Sequence, residues 1–300
     1  MPRIFKAKSS SHVGLHIEPG RASAVAVDRR RVVAAASVDL PSGAVSDAGV
    51  PDPSALAHSL RELFHDAGLE RHAYLGLSVR HGVVRLLDMP LIDDEKERDT
   101  AVRFQAAEAI KMPLDDAILD YAYIGQNVSP GAGARMQIVL AAARRGPVQE
   151  LTAAVQAAGI KPLGLELEPF ALVRALGEPA AENEAARLYC HLGSSAVLAI
   201  AVGQACLFTR SAPASGPGLM EQVRMLLGYY SSQPGSDGVA EVVVSGAGPD
   251  GDPSLDALGV PDGIPVRFAS PLGKLEVAAG GGEDHRRLTM ATGLALGAFA

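Results

Sequence analysis

The hydrophobic pattern at the start of the chain predicts three short β-strands. Apolar residues dominate the segments 12–17, 22–27 and 32–38. The residues between them, 18–20 and 28–30, are the proline, glycine and charged residues that are typical of turns. We therefore expect an antiparallel sheet in which each strand is joined to the next by a tight turn.

The same pattern returns in the second half of the chain. Three apolar segments, 188–192, 196–202 and 205–209, follow one another with small-residue turns between them. A segment rich in Ala, Glu and Pro, 177–186, precedes them and is typical of a linker. The repetition predicts two similar lobes with a cleft between them.

Helical periodicity predicts most of the remaining elements. A helix begins at Pro53, and a second covers 94–110. Between them the segments 74–79 and 83–87 predict two strands that form a hairpin around His81 and Gly82. Further helices are expected at 147–158, 170–176, 219–230 and 285–299. The chain is therefore predicted to have an α/β fold.

Composition and charge exclude several classes of protein. A hydrophobic fraction of 48% with 20% charged residues is typical of folded globular proteins. The net charge of −7 argues against nucleic-acid binding. No stretch reaches the roughly 18 apolar residues of a membrane span, and no signal peptide follows Lys6 and Lys8. We expect a cytoplasmic protein that reaches the membrane only through a partner.

The two predicted hairpins resemble the phosphate-binding hairpins of actin-like ATPases, which have a ribonuclease H-like fold of two lobes. In such proteins each turn carries an Asp that handles magnesium and water. Here the corresponding residues are His16 and His191. The resemblance implies an actin-like fold that has lost its catalytic groups.

Further motifs, in the same order along nearly the whole chain, resemble the PilM family of cytoplasmic actin-like proteins in type IV pilus assembly. The segments that carry this resemblance are 101–114, 119–121, 156–162, 165–172, 208–211, 227–233 and 290–297. The family has an insert called 1C in its first lobe. The resemblance implies a first lobe at 1–178, with a 1C-type insert at about 50–145, and a second lobe at 187–300.

The turns depart from the family pattern, which begins Asp-Ile-Gly-Thr-Ser-Ser-x-Lys. His16 is a poor magnesium ligand, Glu18 repels phosphate by on the order of 1 kcal/mol, and Pro19 lacks a backbone N–H. We therefore expect a vestigial nucleotide site without catalytic residues, metal or cofactor, with weak ATP binding left open. Its residues would be His16, Glu18, Gly20, His191, Gly193, Ser194, Ser195, Gly246 and Gly248.

A shortened connection also separates this chain from the family. Residues 211–218 lead almost directly into the predicted helix 219–230, where the family continues into a subdomain called 2B that roofs the nucleotide. The resemblance therefore implies that 2B is reduced or absent and that water enters the cleft, which weakens electrostatic catalysis.

Other acidic and histidine residues suggest competing hypotheses. His16 and His191 would face each other across the cleft as a metal site, but no third ligand is visible, which favours a decayed site. Glu166 and Glu168 are candidate catalytic carboxylates, although the following Pro169 favours a role in capping a helix.

The resemblance also implies a partner. In the PilM family, a short cytoplasmic N-terminal peptide of the membrane protein PilN docks on the first lobe near the 1C insert. The predicted helix 94–110 and the residues after it would form one wall of a peptide groove, unless this helix simply packs on its own sheet. The candidate contact residues are Arg103, Phe104, Glu108, Met112 and Leu114.

We therefore expect a non-catalytic scaffold of type IV pilus assembly, peripheral to the inner membrane, that binds a PilN-like tail and other pilus assembly proteins. One alternative is an ATP-binding switch in the same machine, and another is a GspL-like scaffold of type II secretion. A sugar or acyl kinase is disfavoured because neither turn supplies a general-base carboxylate.

Overall fold

The computed structural model contains two large β-sheets and one small β-sheet. It describes the following parts of the chain: 11–129, 133–178, 185–233, 236–247, 255–271, 275–277 and 285–298. Most of the predicted linker, 177–186, lies outside these residues.

The first large sheet has six strands in the order β14-β3-β2-β1-β4-β8. Their bounds are β1 His12–Glu18, β2 Arg21–Asp28, β3 Arg31–Asp39, β4 His72–Leu77, β8 Lys161–Leu167 and β14 Glu276–Val277. The predicted meander of β1, β2 and β3 is confirmed, because these strands pair antiparallel in sequence order.

Two amphipathic helices cover one face of this sheet, α1 (Pro53–Asp66) and α3 (Arg145–Ala157). Helix α1 begins where the sequence predicts, because the Asp52 side chain accepts hydrogen bonds from the Ser54 and Ala55 backbone N–H groups. The apolar residues of α1 and α3 join those of β1 and β4 in one core.

The small sheet has three strands in the order β5-β7-β6 and carries helix α2 (Glu95–Ala109) on one face. The strands are β5 Gly82–Pro90, β6 Ala117–Ser129 and β7 Gly133–Arg144. Together with α2, these strands cover residues 82–144, a shorter part of the chain than the predicted insert 50–145. The difference arises because α1 and β4 belong to the first large sheet.

The predicted hairpin around His81 and Gly82 is wrong. Strand β4 pairs with β1 and β8, whereas β5 pairs with β7 in the small sheet. A short 3₁₀ turn, Val79–His81, carries the chain from one sheet to the other. Gly82 fits this passage because a Cβ there would lie 2.8 Å from the carbonyl oxygen of Ala142.

The second large sheet has five strands in the order β11-β10-β9-β12-β13. Their bounds are β9 Ala186–Leu192, β10 Ser195–Val202, β11 Ala205–Pro213, β12 Val239–Gly246 and β13 Val266–Phe268. Helices α5 (Gly216–Ser231) and α6 (Leu255–Leu258) pack on one face. The chain passes from β11 to α5 without an intervening subdomain, as the shortened connection predicts.

Two further helices lie between the large sheets, α4 (Glu168–Leu176) and α7 (Thr289–Gly297). Helix α4 packs mainly on the second sheet, whereas Ala291 and Ala295 of α7 pack on the first. The closing helix predicted at 285–299 is shorter, since 285–288 form a 3₁₀ turn and Phe299 lies outside the described residues. Within the described part of the chain, no helix is both long and apolar enough to cross a bilayer.

Candidate functional site

Two hairpins approach each other where the large sheets meet. In the first, β1 and β2 are joined by Pro19 and Gly20, and Gly20 has a φ of +83°. A proline followed by a glycine with positive φ is typical of a type II turn. In the second, β9 and β10 are joined by Gly193 and Ser194. The cleft predicted from the two hairpins therefore lies at these turns.

The histidines that replace the expected Asp residues are both buried and face each other. Their ring centroids are 6.4 Å apart and the ring planes are nearly perpendicular, at 83°. His16 Nε2 lies 2.9 Å from Glu168 Oε1, and His191 Nδ1 lies 3.0 Å from Ser245 Oγ. Each imidazole is thus fixed by a hydrogen bond to a residue of another element.

These contacts shift the pKa values of the two imidazoles in opposite directions. Burial alone would lower the pKa of His16, but the hydrogen bond and charge of Glu168, helped by Glu18, raise it above the usual value. For His191, burial and the positive charge of His16 lower the pKa to about 4, against a weaker opposing effect of Glu18. The geometry therefore favours a charged His16–Glu168 pair beside a neutral His191.

Glu168 was expected to cap the helix that follows it, but its carboxylate serves the His16 pair instead. It is the first residue of α4 and is buried, while the N-cap position, Leu167, receives no side-chain hydrogen bond. Glu166 makes an ion pair with Arg174, whose Nη2 lies 2.9 Å from Glu166 Oε2. The predicted negative charge in the first turn of α4 is therefore present in Glu168, although no side-chain hydrogen bond caps the helix, whereas Glu166 lies on β8 and pairs with Arg174.

Glu18 connects the two hairpins directly. Its Oε2 accepts a hydrogen bond of 2.6 Å from the backbone N–H of Ser194, a residue 176 positions further along the chain. At Gly193 a Cβ would lie 2.4 Å from the same oxygen, so the carboxylate sits against bare backbone. The residue predicted to repel phosphate thus accepts a hydrogen bond from one backbone donor of the opposite turn, the Ser194 N–H.

The space on either side of this contact is lined by different groups. One cavity of about 60 Å³ is lined by His16, Glu168 and His191, with Ser195 at its wall. Another of about 220 Å³ is lined by Gly20 and Ser194 together with the charged residues Arg21, Arg287 and Asp39. In the part of the chain that the structure describes, no three His, Cys, Asp or Glu side chains are arranged to hold a metal ion.

The predicted site residue Gly246 lies at the end of β12. Gly246 has a φ of +80°, and a Cβ there would lie 2.1 Å from the carbonyl oxygen of Leu192. Glycine is therefore required for β12 to pass the second hairpin so closely. Gly248 lies outside the described residues.

The predicted partner-binding residues lie on α2 and on the segment after it. Arg103, Phe104 and Glu108 are exposed, and Phe104 is 66% exposed. Met112 and Leu114 instead pack on the core between α2 and the small sheet. The structure does not bring these five side chains into one groove.

An apolar groove lies on the opposite face of the small sheet. It encloses about 450 Å³ between β6 and β7 on one side and β8 and α4 on the other. Ala122, Val139, Ala141, Leu165 and Phe170 supply much of its wall. Sequence reasoning missed this groove, although β7 carries a signal for it: apolar residues occupy both of its faces, which indicates packing on both sides.

Comparisons with known proteins agree on one fold. Similar structures include a chain of a PilM–PilN type IV pilus biogenesis complex (24% identity, TM-score 0.79, covering 97% of this chain and 99% of that one). The cytoplasmic domain of EpsL, from type II secretion in Vibrio cholerae, matches at 11% identity and a TM-score of 0.56 (96% and 95%). The ethanolamine utilization protein EutJ from Carboxydothermus hydrogenoformans matches at 14% and 0.51 (97% and 90%).

These likenesses confirm the predicted actin-like fold of two lobes. No curated protein sequence matches the chain. The family described as type IV pilus assembly protein PilM, however, matches residues 21–204, which is more than half of the 300 residues. Together with the collinear motifs, this match shows that the chain belongs to the PilM family of type IV pilus assembly proteins.

Proposed function

We propose that this protein is a non-catalytic scaffold of type IV pilus assembly that captures the cytoplasmic N-terminus of a PilN-like inner-membrane protein. The observation that carries the proposal is the apolar groove between β6 and β8 in a PilM-family fold. The solved complex of a similar chain with PilN supports a partner of this kind. Through that partner the protein would be held at the inner face of the membrane.

The position of the groove suits an extended peptide. Strand β6 is at the edge of the small sheet and β8 is at the edge of the first large sheet. Edge strands present backbone N–H and C=O groups that a further strand can pair with. A peptide lying between β6 and β8 would therefore gain backbone hydrogen bonds from an edge and apolar contacts from the wall.

The chemistry of the rim suggests which peptides fit. Ile118 and Leu163 are exposed at the two edges, so apolar surface continues beyond the groove itself. Glu166 and Arg174 are already paired with each other, whereas Asp120 adds an exposed carboxylate. An apolar segment flanked by basic residues complements this surface.

The cleft supports the non-catalytic part of the proposal. His16 and His191 are committed to Glu168 and Ser245, and Glu18 to the backbone of Ser194. Carboxylates and waters are the ligands that magnesium prefers at a phosphate site. An ATP-binding switch remains the alternative, and a magnesium-dependent rise in Tm with ATP would favour it.

Docking is tested by substituting one residue on each face of β6 and measuring binding of a labelled synthetic peptide of the PilN-like N-terminus. Ala122 faces the groove and is exposed, so Ala122→Arg should weaken binding about tenfold or more by blocking the groove, which is about 1.4 kcal/mol or more. Tyr123→Arg, at an exposed neighbouring position of the same strand, is the matched control and should bind normally.

A third variant distinguishes docking in the groove from docking on the surface predicted on α2. Phe104→Ala removes an exposed aromatic side chain from the five predicted contact residues without touching the groove. Normal peptide binding by Ala122→Arg together with weak binding by Phe104→Ala would refute docking in the groove and favour α2. Normal binding by both would refute docking at either surface.

A further inference from the structure

The contact between Glu18 and Ser194 joins the two hairpins, and it goes beyond peptide docking because it lies in the cleft and away from the groove. It is a hydrogen bond from a backbone N–H to a carboxylate oxygen, 2.6 Å long. Bonds of this type, with a charged acceptor, are stronger than neutral ones. The contact therefore has the chemistry of anion binding by backbone donors.

The second hairpin is shaped to receive that carboxylate. Gly193 leaves no side chain between its backbone and Glu18, and the three atoms nearest to an added Cβ would all be Glu18 atoms, at 2.4, 3.2 and 3.4 Å. Gly193 donates its own N–H to the carbonyl oxygen of Ser195 at 3.1 Å, so the Ser194 N–H is the backbone donor that this turn offers to an anion. Here the anion is supplied by the opposite hairpin of the same chain.

The surroundings favour negative charge at this point. The cavity beside the contact is lined by Arg21 and Arg287, together with Asp39, whose Oδ1 lies 3.7 Å from Arg21 Nη1. His16 lies two residues before Glu18 on β1, but its ring is paired with the Glu168 carboxylate, which offsets any positive charge on it. The two arginines therefore place positive charge beside the turn, and Asp39 offsets part of the charge of Arg21.

We propose that the Glu18 carboxylate is the built-in occupant of an anion site at the Gly193–Ser194 turn, and that it holds the two hairpins together in place of a free anion. Two consequences follow. Removing the carboxylate should loosen the join between the large sheets, and the vacated turn should accept a small external anion such as phosphate.

The join is tested by a double-mutant cycle of Glu18→Ala and Gly193→Ala, using thermal unfolding of the full chain. Gly193→Ala should lower the Tm in the wild type, because its methyl group displaces the carboxylate, and should have little effect in Glu18→Ala. Each loss is expected to be about 2–4 °C. Equal effects of Gly193→Ala in both backgrounds would overturn the proposal.

The anion site is tested with inorganic phosphate. Millimolar phosphate should raise the Tm of Glu18→Ala above its response in the wild type, where the carboxylate already fills the turn. Glu221→Ala removes an exposed carboxylate on α5 and is the matched control for the change in net charge. Equal phosphate responses in all three proteins would rule out the site.

A milder variant keeps the test usable if Glu18→Ala does not fold. Glu18→Gln retains the size of the side chain and an oxygen that accepts from Ser194, but it removes the charge. Because a neutral oxygen binds the Ser194 N–H more weakly than a carboxylate does and does not repel phosphate, its phosphate response should lie between those of the wild type and Glu18→Ala. Peptide binding in the groove should be unchanged in every Glu18 variant that folds, so failure of this proposal is distinguishable from failure of the docking proposal.

Discussion

At the scale of single residues, the most consequential feature is the pair of buried histidines. A charged imidazole is costly to bury alone, and a buried carboxylate is equally costly. His16 and Glu168 offset these costs by pairing at 2.9 Å. The positive charge of His16 in turn disfavours a second positive charge on His191. The two residues that look alike in sequence therefore have pKa values shifted in opposite directions.

This difference predicts how stability depends on pH. His191 has a folded pKa of about 4 against 6.5 for the free side chain, so the unfolded chain takes up a proton there before the folded protein does. The free energy of unfolding should therefore fall as the pH drops from 6.5 towards 4, by up to about 3 kcal/mol. His16 has a raised pKa and therefore the opposite pH dependence. The stability that it contributes to the folded protein is complete below pH 6.5 and is lost as the pH rises through its folded pKa.

His191→Gln tests this expectation, because glutamine does not titrate. Urea unfolding of the wild type should show a larger loss of stability between about pH 7 and about pH 5 than the variant does. His58→Gln, at an exposed histidine of α1, controls for the loss of a titratable group. Parallel pH profiles for the wild type and His191→Gln would contradict the assignment.

The positions of the two histidines could be predicted from the sequence, but their partners could not. Both lie near the ends of strands in recognisable hairpins, so their meeting across a cleft follows from the repeated pattern. Glu168 is 152 residues from His16, and Ser245 is 54 residues from His191. No local pattern relates residues so far apart, and Glu168 therefore looked like an ordinary acidic residue in the first turn of a helix.

At the scale of elements, the closest packing is the crossing of α4 and α7 between the large sheets. A Cβ at Gly293 of α7 would lie 1.9 Å from the carbonyl oxygen of Ala171 in α4. Since the obstacle is backbone, the helices would have to separate to admit even a methyl group. Glycine at this position thus sets the distance between the two helices.

Gly293→Ala should therefore lower the free energy of unfolding by about 1–3 kcal/mol or more, measured by denaturant unfolding. Gly228→Ala is the matched control, since Gly228 is also within a helix, α5, but an added Cβ there meets nothing within 4 Å. The control should be stabilised by about 0.5–1 kcal/mol because alanine is the better helix former. Similar effects of the two substitutions would show that the crossing is not tightly packed.

Sequence periodicity predicted the helices and strands themselves better than it predicted which strands pair with each other. The helix beginning at Pro53 and the meander of β1, β2 and β3 have local signals, namely a capping Asp52 and tight turns. The segments 74–79 and 83–87 also form strands, yet they enter different sheets. Alternating apolar residues identify a strand but do not indicate which neighbouring strand it pairs with. Tertiary contacts decide the pairing.

At the scale of the whole molecule, the lobes touch in more than one place. The hairpin turns meet through Glu18, and β11 at the edge of the second large sheet lies beside β5 of the small sheet. The two-lobe plan was predictable because the hairpin pattern repeats. The groove between β6 and β8 was not, because it arises only when two sheet edges are placed side by side.

The path of the chain after β12 has a consequence for how the protein matures. Strand β14 pairs with β3, and α7 covers β1 and β2, so late residues complete the sheet that the earliest strands begin. On the ribosome, those early strands are made long before their cover exists. Until α7 arrives, Val25, Val27 and Val32 lack the surface that buries them. The apolar face of these strands is therefore exposed in the interval between the synthesis of β3 and that of α7.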